Sequence, residues 1–162
     1  LPKNCSLVGI DDSKKLTETK RKDLADEIRS VALCWSVAQC SAQEVDYYNI
    51  YAAAKLAMQR AVESLSTPPT QLLIDARTVE ALPIPQESIV RGDSASMSIA
   101  AASILAKVAR DALMIEYDKR YPKYGFKHHM GYGTAKHLKA LKEHGPCSIH
   151  RMSYRPVRLA VK

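Results

Sequence analysis

Two hydrophobic periods run through this chain and mark out its elements. Thr17 opens a stretch in which Leu24, Ile28 and Val31 fall on one face, so a helix of about four turns is expected there with Thr17 as its N-cap. In "LCWSVAQC", Leu33, Trp35 and Val37 alternate with smaller residues, which predicts a strand. "SAQEVDYY" opens at Ser41 with Gln43 read as its partner in a capping-box pattern for a short helix. Asn49 then precedes an amphipathic helix that turns Ile50, Ala54, Ala57, Met58, Ala61 and Leu65 inward. "STPPT" breaks it, because two prolines cannot continue a helix.

Beyond the break the apolar runs shorten. "QLLID" reads as a buried strand ending in Asp75, "TVEALPIPQ" as a loop, and "ESIVRGD" as a second strand ending in Asp93. A long helix is expected from Ser96 to Tyr121, its core face formed by Ala101, Ile104, Leu105, Val108, Ala112 and Ile115, with Pro122 ending it. "YGFKHHMGYGT" reads as a Gly- and aromatic-rich loop and "TAKHLKALKEHG" as a short basic helix stopped at Gly145-Pro146. The tail is expected to pack back through Val157 and Leu159. Strand–helix alternation points to the α/β class.

At 162 residues and 46% hydrophobic composition, one domain with an ordinary core is expected. No run of roughly 18 apolar residues occurs, so no membrane span is expected. No signal layout or initiator Met opens the chain. Cys5, Cys34, Cys40 and Cys147 show no CxxC or finger spacing, and free thiols in a reducing cytoplasm are expected of them. That weighs against reading Arg91-Gly92-Asp93 as an adhesion tripeptide, which needs an extracellular loop.

Charge divides the chain. Residues 119–162 hold 11 Lys and Arg against one acid, Glu143, whereas the preceding residues carry a small acidic excess; the net charge is +7. Tyr121, Tyr124, Phe126, Tyr132 and Tyr154 are interleaved with the basic residues. Cations neutralise phosphates and aromatic faces stack on sugars or bases, so nucleic acid is the first partner to consider; a solvated basic surface is the plain alternative.

Candidate chemistry sits mainly on two acids. Asp75 and Asp93 each follow an apolar strand, and functional groups collect beyond the carboxyl ends of strands in open α/β sheets. Two carboxylates in one cleft repel unless a cation lies between them, and Mg²⁺ takes carboxylate oxygen and water. Taken alone, the pair reads more simply as two strand-end turns. "SASMSIAAAS" adds four hydroxyls near a helix start, suited to close packing or to meeting a phosphate. Lys107, Arg110 and Asp111 lie further along that helix, where Asp111 is readable as an ion-pair partner. The histidines do not form a metal pattern: His128 and His129 are adjacent and diverge, while His137 and His144 are expected to be solvated on a basic helix. No P-loop, GxGxxG or GxSxG occurs, which speaks against P-loop hydrolysis and serine hydrolysis.

The segments "DDSKKLT", "YYNIYAAAKLAMQRAVESL", "LLIDA", "VRGDSASMSIAAASILAKVARDALM", "YPKYGFKHHMGYGT" and "SIHRMSYRPV", in this order and across nearly the whole chain, resemble bacterial ribonuclease HII, the type 2 ribonuclease H. The resemblance implies a ribonuclease H-like fold: a mixed sheet flanked by helices, with residues 119–162 as a small basic helical C-terminal part of one domain. It implies Mg²⁺- or Mn²⁺-dependent endonucleolytic cleavage of RNA in RNA–DNA hybrids, including single ribonucleotides embedded in duplex DNA, by two metal ions held on four acids. Asp75 matches the third acid and Asp93 the fourth, both as metal ligands. Lys14 of "DSKK" matches a residue near the substrate backbone, and Tyr132 of "GYGT" matches a tyrosine that packs on the deoxyribose beside the RNA–DNA junction. A monomer is implied for the complete protein.

The chain departs from the family pattern at Ala76, where Gly is usual, and at Arg91, where Lys is usual. It also contains no "GxDExGRG", the segment that would supply the first two acids and the central strand. The chain is therefore expected to be an N-terminally truncated form, with the N-terminal strands absent and little activity by itself. The alternative is a non-catalytic nucleic-acid-binding protein that uses the basic block.

Overall fold

The structure is a computed structural model and describes residues 1–161. In chain order it contains α1 (Glu18–Val31), α2 (Ala42–Glu63), β1 (Leu72–Asp75), β2 (Gln86–Ile89), α3 (Gly92–Ala95), α4 (Met97–Arg120), α5 (Phe126–His129), α6 (Ala135–His144) and α7 (Arg155–Arg158). Two compact units emerge: Leu1–Gln39 with Lys55–Ala109, and Cys40–Ala54 with the residues from Arg110 onward.

In the first unit, α1 starts where Thr17 Oγ1 accepts the Lys20 N–H at 3.3 Å, as its N-cap role requires. Leu24, Ala25 and Ile28 are almost fully buried and meet Ala101, Ile104 and Leu105 of α4, with Leu7 completing the cluster. The alanines at 25 and 101 let helix surfaces approach, and the branched chains fill the space between them. Burying Leu24 or Ile104, each at 0% exposure, contributes about 1.5–3 kcal/mol. A second cluster, Leu72, Val79 and Leu82, seats β1 and the loop that follows it.

β1 and β2 pair in parallel, Leu72 opposite Gln86 and Asp75 opposite Ile89. The loop between them is held by the Gln86 side chain. Its Oε1 accepts the Val79 N–H at 2.8 Å, and its Nε2 donates to the carbonyls of Val79 and Leu82 at 2.8 and 3.0 Å. The loop is thereby pinned without a helix of its own.

Three expectations are corrected here. "LCWSVAQC" is extended but pairs with no strand among the described residues. Its alternation survives with the faces exchanged: Cys34, Ser36 and Ala38 are half-buried, while Leu33, Trp35 and Val37 are 74%, 45% and 39% exposed. Trp35 is instead covered by the Arg29 guanidinium at 5.4 Å. β2 ends at Ile89, not at Asp93, because Arg91 takes a left-handed conformation (φ 55°) and the chain turns into α3. In the part of α2 beyond Asn49 the buried position is Ala53, while Ala54 is exposed and Ile50 and Met58 are about two-fifths exposed. So many alanines define the apolar stripe only weakly, so its phase is set by packing.

The caps of α2 follow their residues. Ser41 Oγ accepts the Glu44 N–H at 3.1 Å and Glu44 Oε2 accepts the Ser41 N–H at 2.8 Å, so Glu44 closes the box. Asn49 (φ 69°) kinks the helix, and its Oδ1 accepts from the N–H groups of Tyr51 and Ala52.

In the second unit, Tyr124, Phe126, Ala140, Leu141 and Val157 form the core, with Tyr124 and Phe126 stacked at 5.3 Å. Asp46 accepts from the N–H groups of Met152 and Ser153 and from Ser153 Oγ, which ties the tail to residues 42–48. Val157 packs back as expected; Leu159, 72% exposed, does not. Its place one turn end beyond Val157 leaves it off the buried side of the single-turn α7. No described helix is long and apolar enough to cross a membrane.

Candidate active site

Asp75 closes β1, and the chain leaves it through Ala76 in a left-handed conformation (φ 58°), whose N–H still donates to the Ile89 carbonyl at 3.0 Å. The next strand returns to the same end of the sheet, turns at Arg91, and presents the Gly92 N–H to Asp75 Oδ1 at 2.9 Å. Asp93 follows in the first turn of α3. Of the two acids singled out in the sequence, Asp75 thus ends β1 and is exposed, while Asp93 lies in the short helix beyond β2 and is half-buried; Gly92, next to Asp93 in the chain, links them through its N–H.

Gly92 makes that junction possible. A Cβ there would lie 2.5 Å from Ile99 Cδ1 and 3.5 Å from Asp75 Cα, so a side chain between β1 and the start of α4 would require Ile99 to move. Gly92 is buried, and Arg91-Gly92-Asp93 is therefore part of this packed turn. Its geometry is not that of a mobile adhesion loop.

The "DDSKK" loop reaches the same acids. Ser13 Oγ lies 3.0 Å from Ser103 Oγ on α4, and the Arg21 guanidinium donates to the carbonyls of Ser13 and Leu16. Lys15 Nζ bonds Asp11 Oδ1 at 3.0 Å. The Asp11 carboxylate, with smaller help from Asp12 and Asp93, holds the Lys15 ammonium above its ordinary range. Lys14, the residue named from the sequence, is exposed, and its backbone N–H donates to Asp12 Oδ1 at 2.9 Å. Sequence reasoning missed Lys15 and Asp11; a doubled Asp-Asp before a doubled Lys-Lys was the available signal.

Tyr132 belongs to the second unit. Its ring is 60% exposed, while its N–H donates to the His129 carbonyl at 2.8 Å and its carbonyl accepts from Thr134 N–H at 2.8 Å. Arg110 Nη2 donates to the Met130 carbonyl at 3.1 Å and steadies the approach to Gly131. Beside the tyrosine opens a groove of about 410 Å³ bordered by Arg110, Leu138, Arg151 and Tyr154. Of the lysines that flank this loop in sequence, Lys127 pairs with Asp118 at 3.4 Å and Lys136 remains exposed. Lys123, Lys139, Lys142, Arg155 and Arg158 are exposed as well, so the basic block is a surface.

His137 corrects the sequence reading. It is only 5% exposed, held by its neighbours His129 and His150, whereas His144 is exposed as expected. His128 and His129 do diverge, the first exposed and the second buried. Among the described residues no group of three or more His, Cys, Asp or Glu side chains gathers in a way that could hold a metal ion.

Comparison with known proteins places the geometry in context. The family model described as Ribonuclease HII matches residues 3–157. The chain is 50% identical over 161 residues to the ribonuclease HII of Anaeromyxobacter sp. (strain Fw109-5), covering 99% of this chain and 51% of that protein. It is 53% identical over 158 residues to that of Desulfitobacterium hafniense (strain DSM 10664 / DCB-2), covering 98% of this chain and 61% of the relative. For the ribonuclease HII of Burkholderia mallei (strain SAVP1), identity is 53% over 154 residues, with 95% and 72% covered. The chain thus spans between about half and three-quarters of these relatives. In fold it is similar to the ribonuclease H2 from Pyrococcus horikoshii OT3, with a TM-score of 0.80 at 20% identity, covering 94% of this chain and 80% of that one.

Proposed function

The chain belongs to the ribonuclease HII family, and on that premise we propose that it carries part of the machinery for endonucleolytic hydrolysis of RNA in RNA–DNA hybrids, single ribonucleotides in duplex DNA included. One observation carries the reading: Asp75 at the end of β1 accepts the Gly92 N–H, and Asp93 is the next residue, in the first turn of α3 just beyond β2. Structural turns would not need a buried glycine wedged between the acid and the helix behind it.

A divalent ion, Mg²⁺ or Mn²⁺, is what the family reading adds. The donors fit in kind, since carboxylate oxygens suit a hard cation that keeps several waters and takes one or two carboxylates plus substrate phosphate. In number they fall short of a cage, as no third acid joins them among the described residues. Asp75 and Asp93 are the residues to hold such an ion. When bound, it supplies an activated water and relief of charge on the leaving 3′-oxygen.

The chain's own residues do the rest. Gly92 N–H takes one lone pair of Asp75 and so orients its carboxylate. Lys15, kept charged by Asp11, is a cation beside the acids for the substrate backbone, and exposed Lys14 is a second. In the second unit, Tyr132 is an exposed aromatic residue suited to packing on a sugar, and the basic surface is suited to phosphates. We assign Lys14 and Tyr132 to substrate binding on this basis, and treat residues 1–162 as one ribonuclease H-like domain with a basic C-terminal part.

The test is Asp93→Asn in a chain of the relatives' full length that contains this sequence. Loss of one ligand charge is expected to remove most metal-dependent cleavage of a duplex with one ribonucleotide. Salt-sensitive duplex binding is expected to persist, because the phosphate contacts are elsewhere. Near-parental cleavage by the variant returns Asp93 to a turn residue.

A further inference from the structure

Three buried histidines lie behind the loop that carries Tyr132. His129 and His137 stack at 4.4 Å with their rings 12° from parallel, and His137 Nε2 lies 3.1 Å from His150 Nε2. His129, His137 and His150 are 6%, 5% and 8% exposed. The family reading gives them no role.

Their hydrogen bonds fix their tautomers. His150 Nδ1 faces the Cys147 amide N–H at 2.9 Å, Cys147 Sγ at 3.1 Å and the Cys147 carbonyl at 3.3 Å; the shortest contact is to the amide, which can only donate, and on it we assign His150 a bare Nδ1 and a proton on Nε2. The Tyr132 carbonyl can only accept, and it faces His137 Nδ1 at 2.9 Å, so His137 carries its proton on Nδ1. His150 Nε2–H then donates to the bare Nε2 of His137. In this assignment every ring nitrogen of the pair has a partner, His150 Nδ1 more than one, and both rings are neutral. Burial pushes both away from protonation, and for His150 the His137 ring adds to the effect. His129 follows the same rule, accepting the Gly131 N–H on Nδ1 at 3.2 Å and donating from Nε2 to the Tyr124 carbonyl at 3.0 Å.

We propose that His137 and His150 are positioning residues for Tyr132: a two-imidazole relay that runs from the Cys147 amide to the Tyr132 carbonyl and sets the direction of the tyrosine ring. This rests on the reading of Tyr132 as the residue that meets the substrate sugar. The reason is mechanical. Tyr132 lies between Gly131, in a left-handed conformation (φ 79°), and Gly133, where a Cβ would meet nothing within 4 Å. Glycines on both sides restrict the backbone conformation less than other residues would, so its direction depends on the bonds that hold it. The bonds to His129 and Thr134 stay within the loop itself, whereas the His137 bond ties the Tyr132 carbonyl to α6. His150, in turn, holds the only tautomer of His137 that has a proton to give that carbonyl.

The test combines a spectrum and a mutant cycle. In the unmodified chain, long-range ¹H–¹⁵N correlation spectra are expected to show His137 as the Nδ1–H form and His150 as the Nε2–H form. His137 in the Nε2–H form overturns the proposal, whatever the variants do. In a full-length chain containing this sequence, cleavage at a single ribonucleotide is then compared for His137→Phe, His137→Asn and Tyr132→Ala. Phe keeps the stacking on His129 but has no donor, and a roughly three- to tenfold loss is expected, the worth of one neutral hydrogen bond. Asn places a donor near the position of Nδ1 and should recover most of it. In the Tyr132→Ala background, His137→Phe should cost nothing further, because the histidine acts through the tyrosine; a general packing role would cost the same in both backgrounds. An impaired Tyr132→Ala beside an unimpaired His137→Phe overturns the relay alone. An unimpaired Tyr132→Ala overturns the reading of Tyr132, and the relay's purpose with it.

Discussion

Gly92→Ala adds one methyl group at the junction of β1, α3 and α4. Gly92 has no positive φ, so alanine meets no backbone penalty and any effect comes from space alone. The new Cβ would stand 2.5 Å from Ile99 Cδ1 and 3.3 Å from Ile99 Cγ2, well inside the ~3.5–4.0 Å at which carbon atoms attract. Ile99 is 7% exposed and has little room to turn away. Overpacking of this kind costs about 1–2 kcal/mol. A shift of α3 that relieves it also lengthens the Gly92 N–H bond to Asp75, so the acid loses its orientation. Urea unfolding followed by far-ultraviolet circular dichroism measures the first effect, with a fall in Tm of roughly 3–8 °C as a second reading. Ile99→Val supplies the control, since it removes Cδ1, the atom at fault. Alone it costs about 1 kcal/mol by leaving a small cavity; combined with Gly92→Ala it should cost about 1 kcal/mol less than the two singles together. A Gly92→Ala variant as stable as the parent, or strictly additive costs, would show that the glycine is not wedged where the structure puts it.

Acid should act first on the buried histidines. His150 titrates at about 4 in the folded chain against 6.5 ordinarily, its ring facing His137, the Cys147 thiol and the Tyr124 and Phe126 rings. As pH falls below 6.5 the unfolded chain takes a proton that the folded one refuses, so up to about 3 kcal/mol of stability is lost by pH 4 and none of this is present above 6.5. Urea midpoints at pH 7, 6, 5 and 4 should show this fall, and His150→Gln should flatten it between pH 6.5 and 4; an unchanged slope in the variant rules out the assignment. Tyr132→Ala should reduce cleavage at a single ribonucleotide in a full-length chain far more than Tyr132→Phe, which keeps the ring and loses only the hydroxyl; equal activity of two folded variants contradicts the sugar-packing role. Residues 1–162 alone should turn over a one-ribonucleotide duplex very poorly in Mg²⁺, because they offer two of the four acids the family reading requires; robust turnover by material of matching mass refutes that account of the metal site.

What this sequence determined by itself was everything decided within a few residues. Thr17, Ser41, Asn49, Thr134 and Gly145 mark helix ends because a cap bonds N–H or C=O groups a few positions away, although the partner that closes the box with Ser41 is Glu44 and not the expected Gln43. α4 and the first half of its inner face, Ala101, Ile104 and Leu105, were legible for the same reason, through the helical period; further on, Ala112, expected inward, is exposed, and Met114 is buried instead. The placement of Asp75 at a strand end also followed, whereas Asp93 lies four residues past the end of β2, in α3. The strand-like run at 33–38 shows the limit: a period of two establishes that faces alternate but not which face is inside, and here the small residues took it. His137 shows it again. Its neighbours Lys136 and Lys139 speak for solvent, but its burial is decided by His150, thirteen residues on, and by the tail that carries it. Lys15 over Lys14, the wedge at Gly92 and the short helix that holds Asp93 were likewise tertiary decisions. In each, the deciding partner is brought by folding from a distant segment, and no local pattern encodes a bond whose other end is not yet in reach.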